Sequence, residues 1–134
     1  MNYNFHHLGI CTNSPQKLIK FYEEKMGFEK GETRIVPRDL MEHFFKIPDA
    51  CSLTKLKFGQ IILEIISPQS LMLKKRANDV SGYNHWSLGV KKKKEFCQRL
   101  KERGVPILEK EREGRIFYFV KDPEGNLIEI YESP

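Results

Sequence analysis

The 134-residue chain lacks most of the marks of a membrane, secreted or nucleic-acid-binding protein. No apolar run approaches the ~20 residues that a membrane helix needs. The opening MNYNFHHLGI has no signal-peptide pattern, so no membrane partner and a cytoplasmic location are expected. Cysteine is scarce. Cys11, Cys51 and Cys97 are odd in number, widely spaced and in no CxxC arrangement, which argues against a disulfide scaffold or a zinc knuckle and for reduced small hydrophobes. No helix-turn-helix, zinc-finger or RNP signature accompanies the net charge of +5, so no nucleic-acid partner is expected. The only tight basic clusters, Lys91 to Lys94 and Lys74 to Arg76, read as solvated surface. What remains, 40% hydrophobic and 31% charged residues, describes one ordinary globular domain over residues 1–134.

That domain repeats itself. HHLGICT, with Phe5 before it, reads as a strand over Phe5 to Thr12, and SPQKLIKFYEEKMGF reads as a helix. Ser14 stands where it can cap that helix, Pro15 fits its first turn, and Leu18, Ile19, Phe21, Tyr22 and Met26 form its apolar stripe. HWSLGV and KKKKEFCQRLKERG repeat the arrangement from His85 onward. The spacing from histidine to helix-ending glycine is nearly the same in both copies, His7 to Gly27 and His85 to Gly104. Three strand-like segments follow each helix: FEKGETRIV, SLTKLKF and IILEIIS, then PILEKER, IFYFVK and LIEIYE. The chain therefore reads as α+β, with two tandem βαβββ modules over 1–70 and 82–134. RDLMEHFFKIPDA is a short helical excursion inside the first copy, and the connection Pro68 to Tyr83 is expected to be partly helical.

Strand parity supplies the functional signal. Side chains alternate faces, so His7, Gly9 and Cys11 share one face of the first strand, and His85, Ser87 and Gly89 share one face of its counterpart. His6 then points to the opposite face from His7, and His43 lies in the excursion. Glu64 interrupts the apolar run IILEIIS and Glu129 interrupts NLIEIYE. A carboxylate in such a strand is costly to desolvate unless a cation or several donors meet it. Two imidazoles and two carboxylates at equivalent places suit a divalent metal of borderline hardness, namely Ni, Co, Zn, Fe or Mn, in five- or six-coordinate geometry.

The quoted strands, together with GQIILEIISP and the turn DPEGN before a strand glutamate, resemble the glyoxalase I, bleomycin-resistance and extradiol-dioxygenase group, the vicinal oxygen chelate superfamily. The resemblance implies an open, curved mixed sheet, an incomplete barrel, around a metal-binding cleft. Carried over position by position, it puts the metal ligands at His7, Glu64, His85 and Glu129, the set found in glyoxalase I, with Ni, Co or Zn favoured. It implies lyase or isomerase chemistry in which a proton is abstracted next to a metal-bound carbonyl, with Glu129 as base and Glu64 as the second acid-base group. It also implies a small-molecule substrate, a thiol adduct or a thioester, and a homodimer whose sites lie within one chain or across two.

Two departures bear on substrate. Glutathione-dependent glyoxalases carry an Arg four residues after the first His and an Asn four residues after the first Glu; here those positions are Cys11 and Pro68, and neither offers a fork to a carboxylate. Two alternatives stand beside the lyase: a methylmalonyl-CoA epimerase-like enzyme, and a non-catalytic protein that binds a small molecule or antibiotic.

Overall fold

A computed structural model describes all 134 residues as two compact units, Met1–Lys75 and Arg76–Pro134. In the first, β1 (Leu8–Cys11), α1 (Pro15–Glu24), β2 (Glu29–Val36), α2 (Arg38–Phe45), β3 (Cys51–Phe58) and β4 (Ile61–Pro68) build a four-stranded mixed sheet in the order β1-β4-β3-β2. In the second, β5 (His85–Val90), α3 (Lys93–Glu102), β6 (Ile107–Arg112), β7 (Arg115–Lys121) and β8 (Leu127–Glu132) build a sheet in the equivalent order β5-β8-β7-β6. The repeat read from the sequence is thus a repeat of topology. Neither sheet closes into a barrel. No helix is long and apolar enough to cross a membrane.

Each helix covers one face of its own sheet. Leu18 and Tyr22 of α1 are buried with Leu56, Leu63 and Ile65 of β3 and β4. Cys97 and Leu100 of α3 are buried with Tyr118, Val120, Ile128 and Ile130. Full burial of such a side chain contributes about 1.5–3 kcal/mol. Cys97 belongs to this packing: burial and the nearby Glu109 charge push its thiol to about 11, so it stays protonated. Both helices end alike. Gly27 (φ +82°) and Gly104 (φ +80°) take the left-handed conformation that a side chain resists, and Phe28 and Val105 then donate back to Tyr22 and Leu100 at 2.9 and 3.0 Å.

The helix starts differ from the sequence reading. Ser14 occupies the N-cap of α1, yet its side chain makes no capping bond; its backbone N–H donates instead to the Thr12 hydroxyl at 2.9 Å. The start of α3 is held from outside, because the Glu132 carboxylate accepts the N–H groups of Lys92 (2.5 Å) and Lys93 (3.2 Å). The first strand is shorter than expected as well: pairing with β4 starts at Leu8, so His7 lies one residue before β1.

The connection between the units contains no helix, contrary to expectation. Its first part is an extended strap. Leu71 and Leu73 pack against a cluster formed by Val36, Met41, Ile47, Cys51, Leu53 and Ile66, while Met72 between them is exposed. Only a period of two lets both leucines reach the cluster. Side chains take up the backbone polar groups: Asp49 accepts from Ser70 and Leu71 at 2.6 and 3.0 Å, and Asn13 exchanges two bonds with Leu73 at 2.8 and 3.0 Å.

The two N–H donors hold the Asp49 carboxyl below its ordinary range. A depressed folded-state pKa means that this anchor stabilises at neutral pH and is lost as pH falls through that lowered value. Asp49→Ala is therefore expected to speed amide hydrogen exchange at Ser70 and Leu71 at pH 7, with little change in α1. Unchanged exchange at both amides would show that Asp49 does not hold the strap.

Candidate active site

Register places the two glutamates on interior strands, flanked on both sides. In the first unit Gly9, Glu64 and Lys55 stand abreast across β1, β4 and β3. In the second, Ser87, Glu129 and Phe119 stand abreast across β5, β8 and β7. Strand alternation turns both carboxylates to the face opposite the helix, since Leu63, Ile65, Ile128 and Ile130 on either side of them are buried. The cluster under α2 lies on this same face of the first sheet, so the excursion RDLMEHFFKIPDA covers one end of it with Met41 and leaves Phe44 and Phe45 exposed.

A histidine meets each carboxylate. Nε2 of His7 lies 3.2 Å from Oε1 of Glu64, and Nε2 of His85 lies 3.2 Å from Oε1 of Glu129. The environments also match: the glutamate side chains are 13% and 16% exposed, the histidines 39% and 35%. The carboxylates are shielded while the imidazole edges stay open. DPEGN sets the approach to β8, with Asp122 Oδ1 accepting from the N–H groups of Glu124 and Asn126, each at 2.9 Å, and Gly125 at φ +84° completing the turn.

The outer nitrogens of the histidines are engaged too. His85 Nδ1 lies 2.9 Å from Asn84 Oδ1, and the Asn84 amide is oriented by a 3.4 Å bond from its Nδ2 to the Asn78 carbonyl. The His85 ring thus has an oxygen facing each of its nitrogens, Asn84 Oδ1 at Nδ1 and Glu129 Oε1 at Nε2. The donor set fits a divalent ion on the face carrying Nε2 and Oε1, with Asn84 as the outer partner that orients the ring. Within either unit the potential ligands come as a pair, and no three His, Cys, Asp or Glu side chains gather.

Three contacts were not expected from the sequence. His6 is not turned away from His7; the two Nδ1 atoms are 2.8 Å apart and the rings meet edge to face. Asn84 carried no signal beyond standing next to His85. Ser87, whose hydroxyl donates to Glu129 Oε1 at 3.2 Å, was already placed on the His85 face by parity, and its counterpart Gly9 offers Glu64 no such donor. His43 lies in α2 against the Phe44 ring. A separate groove of about 610 Å³ under α1, with Thr54 and Ser67 among its lining residues, opens on the helix side of the first sheet, away from Glu64.

The sequence model of the Glyoxalase/Bleomycin resistance protein/Dioxygenase superfamily matches residues 4–130. The chain belongs to this superfamily. No curated protein sequence matches it. Among solved structures, the superfamily fold is shared with the trypanothione-dependent glyoxalase I of Leishmania major, at 25% identity over 98% of this chain and 87% of that one, TM-score 0.74. It is shared with a glyoxalase family protein of Enterococcus faecalis, at 25% identity over 96% and 97% of the two chains, TM-score 0.68. The fosfomycin resistance protein FosX of Listeria monocytogenes, solved with Mn(II) and 1S,2S-dihydroxypropylphosphonic acid, has the same fold at 18% identity over 100% and 95%, TM-score 0.67.

Proposed function

We propose that this superfamily member is a divalent-metal-dependent enzyme of the glyoxalase I type, a lyase or isomerase that moves a proton next to a substrate carbonyl. The observation that carries the proposal is the repeated pair: His7 with Glu64 and His85 with Glu129, each at 3.2 Å and at equivalent strand positions. Each pair supplies half of a two-histidine, two-glutamate ligand set suited to Ni, Co or Zn, with Fe or Mn also compatible. A bound divalent ion would polarise the substrate oxygen and acidify the adjacent C–H.

The chain's own groups do the rest. Glu129 takes the proton, with the Ser87 hydroxyl donating to its Oε1 at 3.2 Å and fixing the carboxylate's orientation. Glu64, at the matching place in the other module, is the second acid-base group. Asn84 holds the His85 ring so that its Nε2 keeps facing the site. Cys11 and Pro68 stand where glutathione-dependent relatives carry an Arg and an Asn, so a thiol adduct other than glutathione's, or a thioester, is the better fit. A homodimer, the common assembly in the family, is part of the proposal.

Metal analysis of the purified protein, followed by a turnover screen with hemithioacetals of several thiols and with acyl-CoA thioesters, tests it. Stoichiometric divalent metal and metal-dependent turnover of a hemithioacetal are expected. Epimerisation of methylmalonyl-CoA alone would shift the assignment to the epimerase. Tight ligand binding by metal-free protein without turnover would make it a sequestering protein.

A further inference from the structure

Beyond the His85–Glu129 pair, the same face of the second sheet changes character in an ordered way. The row through Glu129 continues into Phe119 and Leu108, and the Phe119 ring meets the His85 ring edge to face at 5.4 Å. The next row brings Phe117 and Lys110, both exposed, and the row after that brings Arg115 and Arg112. The Arg115 guanidinium lies over the Phe117 ring, 5.2 Å from its centre. From Phe119 to Arg115 is four residues of strand, roughly 13 Å.

Charge is sorted by face along this hairpin. Glu109 and Glu111 alternate to the helix side, where Glu109 pairs with Lys101 of α3, while Lys110, Arg112 and Arg115 share the face of Glu129. Among these hairpin positions the open face therefore carries cations and apolar rings but no carboxylate. Phe117 and Leu108 are exposed there although large apolar side chains gain by burial.

We infer that this stripe binds the distal part of the substrate, and that the substrate has an apolar, preferably planar body ending in an anionic group. The body lies on Phe119, Phe117 and Leu108; the anion meets Arg115 and Arg112. Calling the ligand a substrate rests on the proposed function above, but the stripe itself needs no metal.

The test uses metal-stripped, ¹⁵N-labelled protein titrated with 2-naphthalenesulfonate and, as the uncharged counterpart, 2-naphthalenemethanol. The sulfonate is expected to bind roughly fivefold to tenfold more tightly, the scale of two partly exposed charge contacts. Its advantage should shrink with added salt, and amide shifts should concentrate at Leu108, Phe117 and Phe119. Arg112→Gln with Arg115→Gln should erase the preference, bringing the two probes to equal affinity, and Arg115→Lys should keep most of it. Both arginines are exposed, so the variants are expected to fold, which circular dichroism verifies. Equal affinities for the two probes, a preference that survives the double substitution, or shifts confined to other surfaces would overturn the inference. A protein that binds no metal would defeat the proposed function and leave this titration as informative as before.

Discussion

Replacing Glu129 with Gln is expected to lower kcat by roughly 10²- to 10⁴-fold, the usual contribution of a positioned general base, or about 3–5.5 kcal/mol of barrier. The substitution is nearly isosteric. It keeps an oxygen for a metal and for the Ser87 hydroxyl, 3.2 Å from Oε1 in the native pair, and removes only the ability to take up a proton. Metal content should accordingly stay near the native level while turnover collapses. Full activity in this variant would refute Glu129 as the base. Loss of metal together with activity would show that its role is to hold the ion.

Removing a histidine should have the opposite signature. His85→Ala and His7→Ala each delete an imidazole whose Nε2 faces the carboxylate at 3.2 Å. The loss in metal affinity should exceed the ~10- to 100-fold that follows removal of a supporting outer contact. Because both histidines are over a third exposed and lie outside the apolar cores, the variants should fold. A thermal-shift series separates the possibilities: added metal should raise the Tm of the native protein by mass action and leave that of each variant nearly unmoved. An undiminished shift in both variants would rule out the proposed ligand set.

How much of this was legible beforehand follows from where each signal resides. The duplicated topology could be read because periodicity, helix-ending glycines and the DPEGN turn are local properties, and local chemistry decides them in both copies. The face shared by His85, Ser87 and Gly89 could be read because alternation is a rule of the strand itself. That Gly9 stands beside Glu64, and Ser87 beside Glu129, could not, because strand order is settled by pairing between distant segments.

The absence of a helix from the connection between the units has the same reason. The connection Pro68 to Tyr83 is mixed in polarity, which permits a helix, and the distant Asp49 and Asn13, which take up backbone groups of Ser70, Leu71 and Leu73, favour the extended form. Asn84 gave no signal, since holding an imidazole nitrogen is a matter of orientation, and parity misplaces His6 because residues 6 and 7 precede the paired part of β1.

The inequality between Gly9 and Ser87 reaches further than one hydrogen bond. Two halves with the same topology carry the same acid on the same strand, yet one acid sits between a glycine and a lysine, the other between a hydroxyl and an aromatic ring. Glu129 has a hydroxyl partner that Glu64 lacks, so the two carboxylates do not share the proposed acid-base work on equal terms. Identical substitutions in the two modules should consequently not be interchangeable.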